Sequence, residues 1–539
     1  MSSLKERCFC LLVTLMVFIG WNTTSVLATD AGSGKLGSVD FPTTGSAEAQ
    51  SHFLRGVAAM HSFWYEEALE EFRAATKHQP DFAMGYWGEA MTHNHPVWRE
   101  QDKAAGRAAL DKIKGTAALT DRERAYLDAV SVLYGEGDKD TRDRRYATAM
   151  AHVHQTYPDD LEAACFYALA LLGTVPQSDS GFHRRIEAGA LTLEIFQKSP
   201  DHPCAAHYAI HAFDHPDLAI LGLPAARRYA DIAPASHHAQ HMPAHIFVQL
   251  GMWAEAARSN EKGWTDSVAW VARKSLAPYH RDYHSLHWLL YTRLQLGQYR
   301  RAAEVVALKQ SEMAAAVSQK PDQPPAPGWE VHRFYAAMLA EWIIETEKWD
   351  SAESAWKVTG APDDESSQAI ALFVRGLSAA KLKQPEAESH LLALQALQKP
   401  DPNPRERYGT KLYDIWALEL AAAVQASRGD YDQAVQSMKQ AMTLEEALPP
   451  PSGPPAVLKP THELLGEILL MAGRPKEAAQ QFARSLQRQP LRARSVLGAA
   501  RTAAQVQDHR EAKEQYAVLR EIYKEADDLP ELREAREFK

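Results

Sequence analysis

The chain has 539 residues, of which 45% are hydrophobic and 24% charged, and carries a formal net charge of -10. That is the composition of a folded, soluble protein, not a disordered one. The acidic balance argues against nucleic acid as the main partner, because phosphate binding needs concentrated Lys and Arg. The length exceeds one ordinary compact core, unless the fold is an array that grows in one dimension.

At the N-terminus, Lys5 and Arg7 lead into an almost purely apolar run over 9–20, and Val26, Leu27 and Ala28 form a small-residue cleavage site. The pattern predicts a signal peptide over 1–28 and export to the periplasm or the exterior. The apolar run is too short to span a bilayer comfortably, and no later stretch approaches that length, so no membrane span is expected after cleavage. Cleavage would leave Cys165 and Cys204. An oxidising compartment permits them to pair, and the sequence leaves that open. No CxxC or CxxCH occurs, which removes the thiol-redox and c-type haem readings.

Residues 29–46 are rich in Gly, Ser and Thr and read as a flexible leader. A helical pattern follows, with Gly56, Ala68, Phe72, Ala75 and Pro80 at offsets that suit two antiparallel helices. The small residues let the helices approach, the aromatic fills the gap and the proline stops the second helix. The same set returns as Gly466, Ala478, Phe482, Ser485 and Pro490, and Ala512 with Tyr516 continues it. A glycine–aromatic–alanine corner recurs at Gly251/Trp253/Ala256, Gly297/Tyr299/Ala302 and Gly429/Tyr431/Ala434; Trp349 and Ala352 form the same corner without its glycine. Residues 96–120, 174–182 and 264–282 read as insertions. The Pro-rich segments 318–328, 399–404 and 449–460 read as stiff linkers or capping loops. Alternating strand patterns do not occur.

This spacing resembles the tetratricopeptide repeat (TPR). The resemblance implies an all-α fold, a right-handed α-solenoid of roughly ten TPR-like helical hairpins with irregular insertions. The expected organisation is an N-terminal array over 47–317, a linker over 318–328, middle hairpins over 329–448, a loop over 449–460 and C-terminal hairpins over 461–539. More narrowly, the chain resembles exported bacterial TPR proteins of unsettled function. They carry an H-x-P-x-H-I-F-x-x-L-G-x-W segment, here His241 to Trp253, and an S-G-P-P … K-P-x-H-E-L-x-G-E segment, here Ser452–Pro455 and Lys459–Glu467. That likeness implies fold and export and leaves the chemistry open.

Two His-x-x-x-His pairs, His207/His211 and His241/His245, stand thirty-four residues apart, which is one repeat period. In repeat register His207, His241 and His287 share one position, and His211 and His245 share the position one turn later. His284 and Asp214 face the same concave side. Imidazoles four apart on each of two neighbouring helices can converge on one ion. An all-imidazole set suits Zn, Cu, Ni or Fe, with Zn or Cu favoured, over Ca or Mg. The candidate metal ligands are therefore His207, His211, His241, His245 and His287, with Asp214, His215 and His284 as accessory groups. The plainer reading is that groove histidines bind water, a backbone or a peptide carboxylate. Pro243, inside the second pair, either kinks that helix or opens its first turn.

Other histidines read more simply. His61, His93 and His95 are expected as caps or packed edges, and His237 and His238 as solvent-exposed or capping residues at a helix start. His280 and Asp282 are placed in a lid over the groove, and Trp264 and Trp270 in its walls. No nucleophile elbow, phosphate loop or dinucleotide fingerprint occurs, so a binding role is favoured over an enzymatic one. Two functions remain. One is an interaction scaffold that offers its concave groove to a protein or peptide; the other is a metalloprotein that uses the histidine groove.

Overall fold

The computed structural model describes residues 34–115, 118–176, 181–317, 331–332, 334–352, 364–398 and 407–538. From Lys35 onward the chain forms one compact unit. The expected signal peptide and the Pro-rich segments 318–328 and 399–404 lie outside the described residues.

The fold is all-α, an array of helical hairpins. In order come α1 (Ala47–His61), α2 (Tyr65–His78), α3 (Ala83–Met91), α4 (Lys103–Leu110), α5 (Asp121–Leu133), α6 (Lys139–Thr156), α7 (Leu161–Gly173) and α8 (His183–Lys198). Then follow α9 (Pro203–Phe213), α10 (Ala219–Ile232), α11 (His237–His241), α12 (Pro243–Gln249), α13 (Trp253–Arg273), α14 (Tyr283–Gln295), α15 (Tyr299–Val317) and α16 (Tyr335–Thr346). Helices over 365–381 and 386–396, 407–427 and 431–446, 461–471 and 475–488, and 493–505 and 509–522 continue the pairs, and Pro530–Glu537 closes the chain. The only extended pairing among the described residues joins Asn94 to Gln101 and His95 to Glu100, beside the inserted α4. Among these residues no helix is long and apolar enough to cross a membrane.

The small-residue logic is visible in the packing. A Cβ on Gly56 or Gly88 would stand 2.7 or 2.3 Å from the Phe72 ring, and one on Gly466 or Gly498 would stand 2.7 or 2.1 Å from Phe482. Each aromatic therefore fills a slot that two glycines open in the flanking helices. Helix starts are capped by side chains that accept orphan backbone N–H groups: Ser46, Asp102, Asp138, Asp160, Ser236 and Asp282, with a full capping box at Thr120 and Glu123. The corner that lacks glycine places Glu347 in the left-handed region, φ 53°, where Gly251 and Gly297 sit at 67° and 66°. A non-glycine residue there costs on the order of 1–2 kcal/mol.

Two expectations change, and one open point is decided. Residues 34–46 are no flexible leader: Leu36 and Phe41 are buried, and Ser38 donates to the Asp201 carbonyl at 2.9 Å. Val39 packs on the same core, and Thr44 donates to Glu123 at 2.7 and 2.9 Å, so the segment is held against the array. Over 264–282 there is no separate helix, because α13 runs on through Trp270 before a short 3-10 turn at Pro278–His280. Cys165 in α7 and Cys204 in α9 form a disulfide, with Cα atoms 6.1 Å apart.

The array also closes on itself. The hydrophobic core of the N-terminal helices includes Ala493, Val496, Tyr516 and Leu532 from the C-terminal end, while the middle helices and 461–482 share a second core. Trp253 Nε1 donates to the Leu491 carbonyl at 2.8 Å. A Cβ on Gly251 would meet Leu491 Cβ at 2.6 Å. Gln249 Nε2 reaches the Pro451 carbonyl at 3.0 Å, and Gly453 lies against the Trp288 ring. The 449–460 loop thus lies over the histidine-bearing helices.

Candidate metal centre

Pro203 opens α9 at its first turn, where its missing N–H costs nothing. His207 and His211 then stand on one face, one turn apart. His207 Nδ1 donates to the carbonyl of His61, at the end of α1, at 2.6 Å. A carbonyl only accepts, so the proton sits on Nδ1 and the lone pair on Nε2. That Nε2 lies 3.1 Å from His211 Nε2. His238, from α11, completes the group: its Nε2 is buried without a hydrogen-bond partner, and its ring centroid is 5.1 Å from that of His207. The three donor atoms lie within 4.8 Å of one another. Phe63 covers the set, 4.3 Å from the His207 ring and 5.3 Å from that of His211.

A second set forms one repeat on. Pro243 cannot donate, so the helix breaks between α11 and α12, but the axis continues through Met242 in helical geometry. His241 and His245 therefore still face each other across the break. His241 Nδ1 donates to Asn260 Oδ1 at 2.6 Å. The Asn260 amide nitrogen donates to the Ala256 carbonyl at 2.8 Å, which fixes its oxygen toward His241. His245 Nδ1 donates to Asp214 Oδ2 at 2.8 Å, and the other Asp214 oxygen accepts from Gln249 at 3.0 Å. His241 thus turns its Nε2 lone pair toward His245 Nε2, 3.2 Å away, and a neutral His245, its Nδ1 proton given to Asp214, presents a second lone pair there. Such a contact is repulsive unless a cation sits beside it. His284, from α14, is the third member, its ring 4.7 Å from His241 and its donor atom within 4.8 Å of the other two.

Burial, with the repulsion of neighbouring imidazoles, works against protonation of His207, His211, His238, His241 and His284. His207 is pushed down to about 3 and His241 to about 4. His211, His238 and His284 also lie well below the ordinary imidazole value, for the same leading cause. Neutral imidazoles are ready ligands with no deprotonation cost. The two sets abut: the rings of His211 and His245 are 5.9 Å apart, and those of His238 and His241 6.0 Å.

The arrangement differs from one four-histidine ion site. Each i, i+4 pair takes its own third histidine. His287 joins neither set; its Nε2 pairs with Glu341 at 2.9 Å, and its ring lies 5.1 Å from Phe334. His284, an accessory in the sequence reading, is a full member. Asp214 orients His245. His215 is turned away, accepting from the Asp217 N–H at 3.2 Å and packing on Phe182. His238 is no exposed cap but a buried member. Its signal was its place three residues before His241, on the same helix face.

Neighbouring groups are also reassigned. Asp282 is no lid residue but the buried cap of α14, bonded to Ser285 and 3.6 Å from His237. Trp270 packs on Trp64 and His237, and Trp264 on Tyr283, so both belong to cores. A third cluster, His61, Glu162, Cys165 and His202, has metal-like composition. Its cysteine is committed to the disulfide, and both histidines bond Glu162, at 2.6 and 2.9 Å. With His61 Nδ1 on Tyr208 at 2.8 Å, it is a satisfied network beneath α9. Beside His284 opens a cleft of about 280 Å³, walled by Trp288, Phe334, His287, Arg488 and the Pro449–Pro454 stretch.

No protein-family model matches the chain, and no curated protein matches it. Among solved structures it is similar to a human IFIT1 dimer with PPP-AAAA, at 14% identity over 88% of this chain and 90% of that one, with a TM-score of 0.34. It is also similar to the P58(IPK) TPR domain, at 15% identity over 70% and 96%, TM-score 0.21. Yeast Tom70 matches at 13% identity over 91% and 94%, TM-score 0.29. None of these likenesses bears on what the histidines hold.

Proposed function

We propose that this helical-hairpin scaffold is a metalloprotein that binds two transition-metal ions, one in the set His207/His211/His238 and one in the set His241/His245/His284. The observation that carries this reading is the His241–His245 contact, two Nε2 atoms 3.2 Å apart whose rings each give the Nδ1 proton to an outward acceptor. Two donors on a tetrahedral ion with bonds of about 2.0–2.1 Å stand roughly 3.3 Å apart, close to this spacing. The outward nitrogens are already bound to a carbonyl, an amide oxygen and a carboxylate, the partners that orient imidazole ligands in metal sites. Donors that are all nitrogen favour Zn or Cu. A peptide partner elsewhere on the scaffold is compatible with this reading; the 449–460 loop walls the cleft at His284. Export is part of the proposal, and the Cys165–Cys204 disulfide supports an oxidising compartment.

The test is metal analysis of the untagged chain after reloading with Zn or Cu. Two ions per chain are expected, and one in the His241→Ala/His245→Ala variant, with helical circular dichroism retained. Substoichiometric metal in the unsubstituted chain would sink the proposal.

A further inference from the structure

The two sets meet across His211–His245 and His238–His241, at ring separations of 5.9 and 6.0 Å. From this juxtaposition, and resting on the metal reading above, we infer that they form one dinuclear copper centre that binds dioxygen between its ions. Each ion would have three imidazole ligands and one open position. Bonds of about 2 Å carry both ions into the space between the rings, compatible with the roughly 3.5–4 Å of two-metal sites. Neither set contains a carboxylate donor, so the ligand shell is neutral and soft enough to hold Cu(I) as well as Cu(II).

The enclosure selects the ligand. His207 and His241 are fully buried, Phe63 covers the first set, and Trp288 lies 4.4 Å from the His245 ring in the second. A bridging guest must therefore be small and apolar enough to pass aromatic walls, and two atoms long to reach both open positions. Dioxygen meets both demands. The cleft beside His284 gives it a route from the surface. In the step, each of two Cu(I) ions gives one electron, O2 accepts both, and the product is peroxide bridging two Cu(II) ions; no proton moves and no other reductant is needed.

The experiment loads the untagged full chain anaerobically with Cu(I), counts copper, then admits O2. The expected result is two copper ions per chain, uptake of one O2, a new near-ultraviolet charge-transfer band, and silence in electron paramagnetic resonance, because the bridged Cu(II) spins couple. In His211→Ala, which opens the face between the sets, the band is lost and one Cu(II) spin per chain appears. Fewer than two bound copper ions before O2 is admitted overturns this inference, and the metal reading falls with it only if the chain also fails to bind two Zn ions on parallel reloading. Two bound ions that give two independent Cu(II) signals, or that take up no O2, overturn the dinuclear centre and leave the metal reading standing.

Discussion

At the scale of single residues, the side chains behind the imidazoles decide what the imidazoles can do. His241 points a lone pair inward because Asn260 accepts its Nδ1 proton. Removing that acceptor frees the tautomer without touching a ligand. Asn260→Ala is therefore expected to weaken metal binding by about 10–100-fold, the usual effect of losing such a partner. Metal-competition titration measures it, and helical circular dichroism should hold. An unchanged affinity would show that the tautomer is set elsewhere. Asp214, His241 and His245 could be picked out by spacing alone, since they recur at helical intervals. Asn260 could not, because it lies nineteen residues from its partner and on another helix.

At the scale of elements, α1, α7 and α9 meet at Glu162, which binds His61 and His202 inside the core. Burial works to raise the Glu162 pKa, but the two imidazoles outweigh it and hold the carboxyl down at about 2, against an ordinary 4.5. Its stabilisation is therefore complete above about 4.5 and is lost as pH falls toward 2. His61 has the same sign by a different cause: burial lowers its pKa, so the unfolded chain takes up protons first once pH drops below about 6.5. Stability should decline from pH 7 to 5 and more steeply below. Urea midpoints across that range measure it, and Glu162→Gln should flatten the steep acid limb. A midpoint that does not move with pH would contradict this assignment. His61 ends α1, as its place in the sequence predicts; its role as a buried hub comes from helices 101 and 147 residues away.

At the scale of the whole molecule, closure rests on Arg492. It is fully buried, donates to Glu463 at 2.8 Å and Tyr291 at 3.2 Å, and bonds Glu345 as well. Burial alone would disfavour its charge, but Glu345 and Glu463 outweigh that and hold it firmly protonated. Arg492→Ala leaves the buried Glu345 without its cation and Glu463 with Lys459 alone, and should cost about 3–5 kcal/mol. Chemical denaturation reads the loss; one under about 1 kcal/mol would show that the C-terminal hairpins are held by apolar contacts instead.

The sequence by itself determined the helices, their period and the two histidine pairs, because i, i+4 spacing and glycine–aromatic corners are local facts of helix geometry. Pro243 left open whether the second pair survived, and the answer depended on Met242 keeping helical geometry across the break. Only the tertiary structure decided that each pair gains a third imidazole, that His287 turns to Glu341, that the cysteines pair, and that the 449–460 loop walls the cleft at His284. Those outcomes depend on how hairpins far apart in the chain pack and close, and on the burial that follows. A repeat pattern specifies each neighbour's contact, but the curvature that accumulates over many repeats is not written in any one of them.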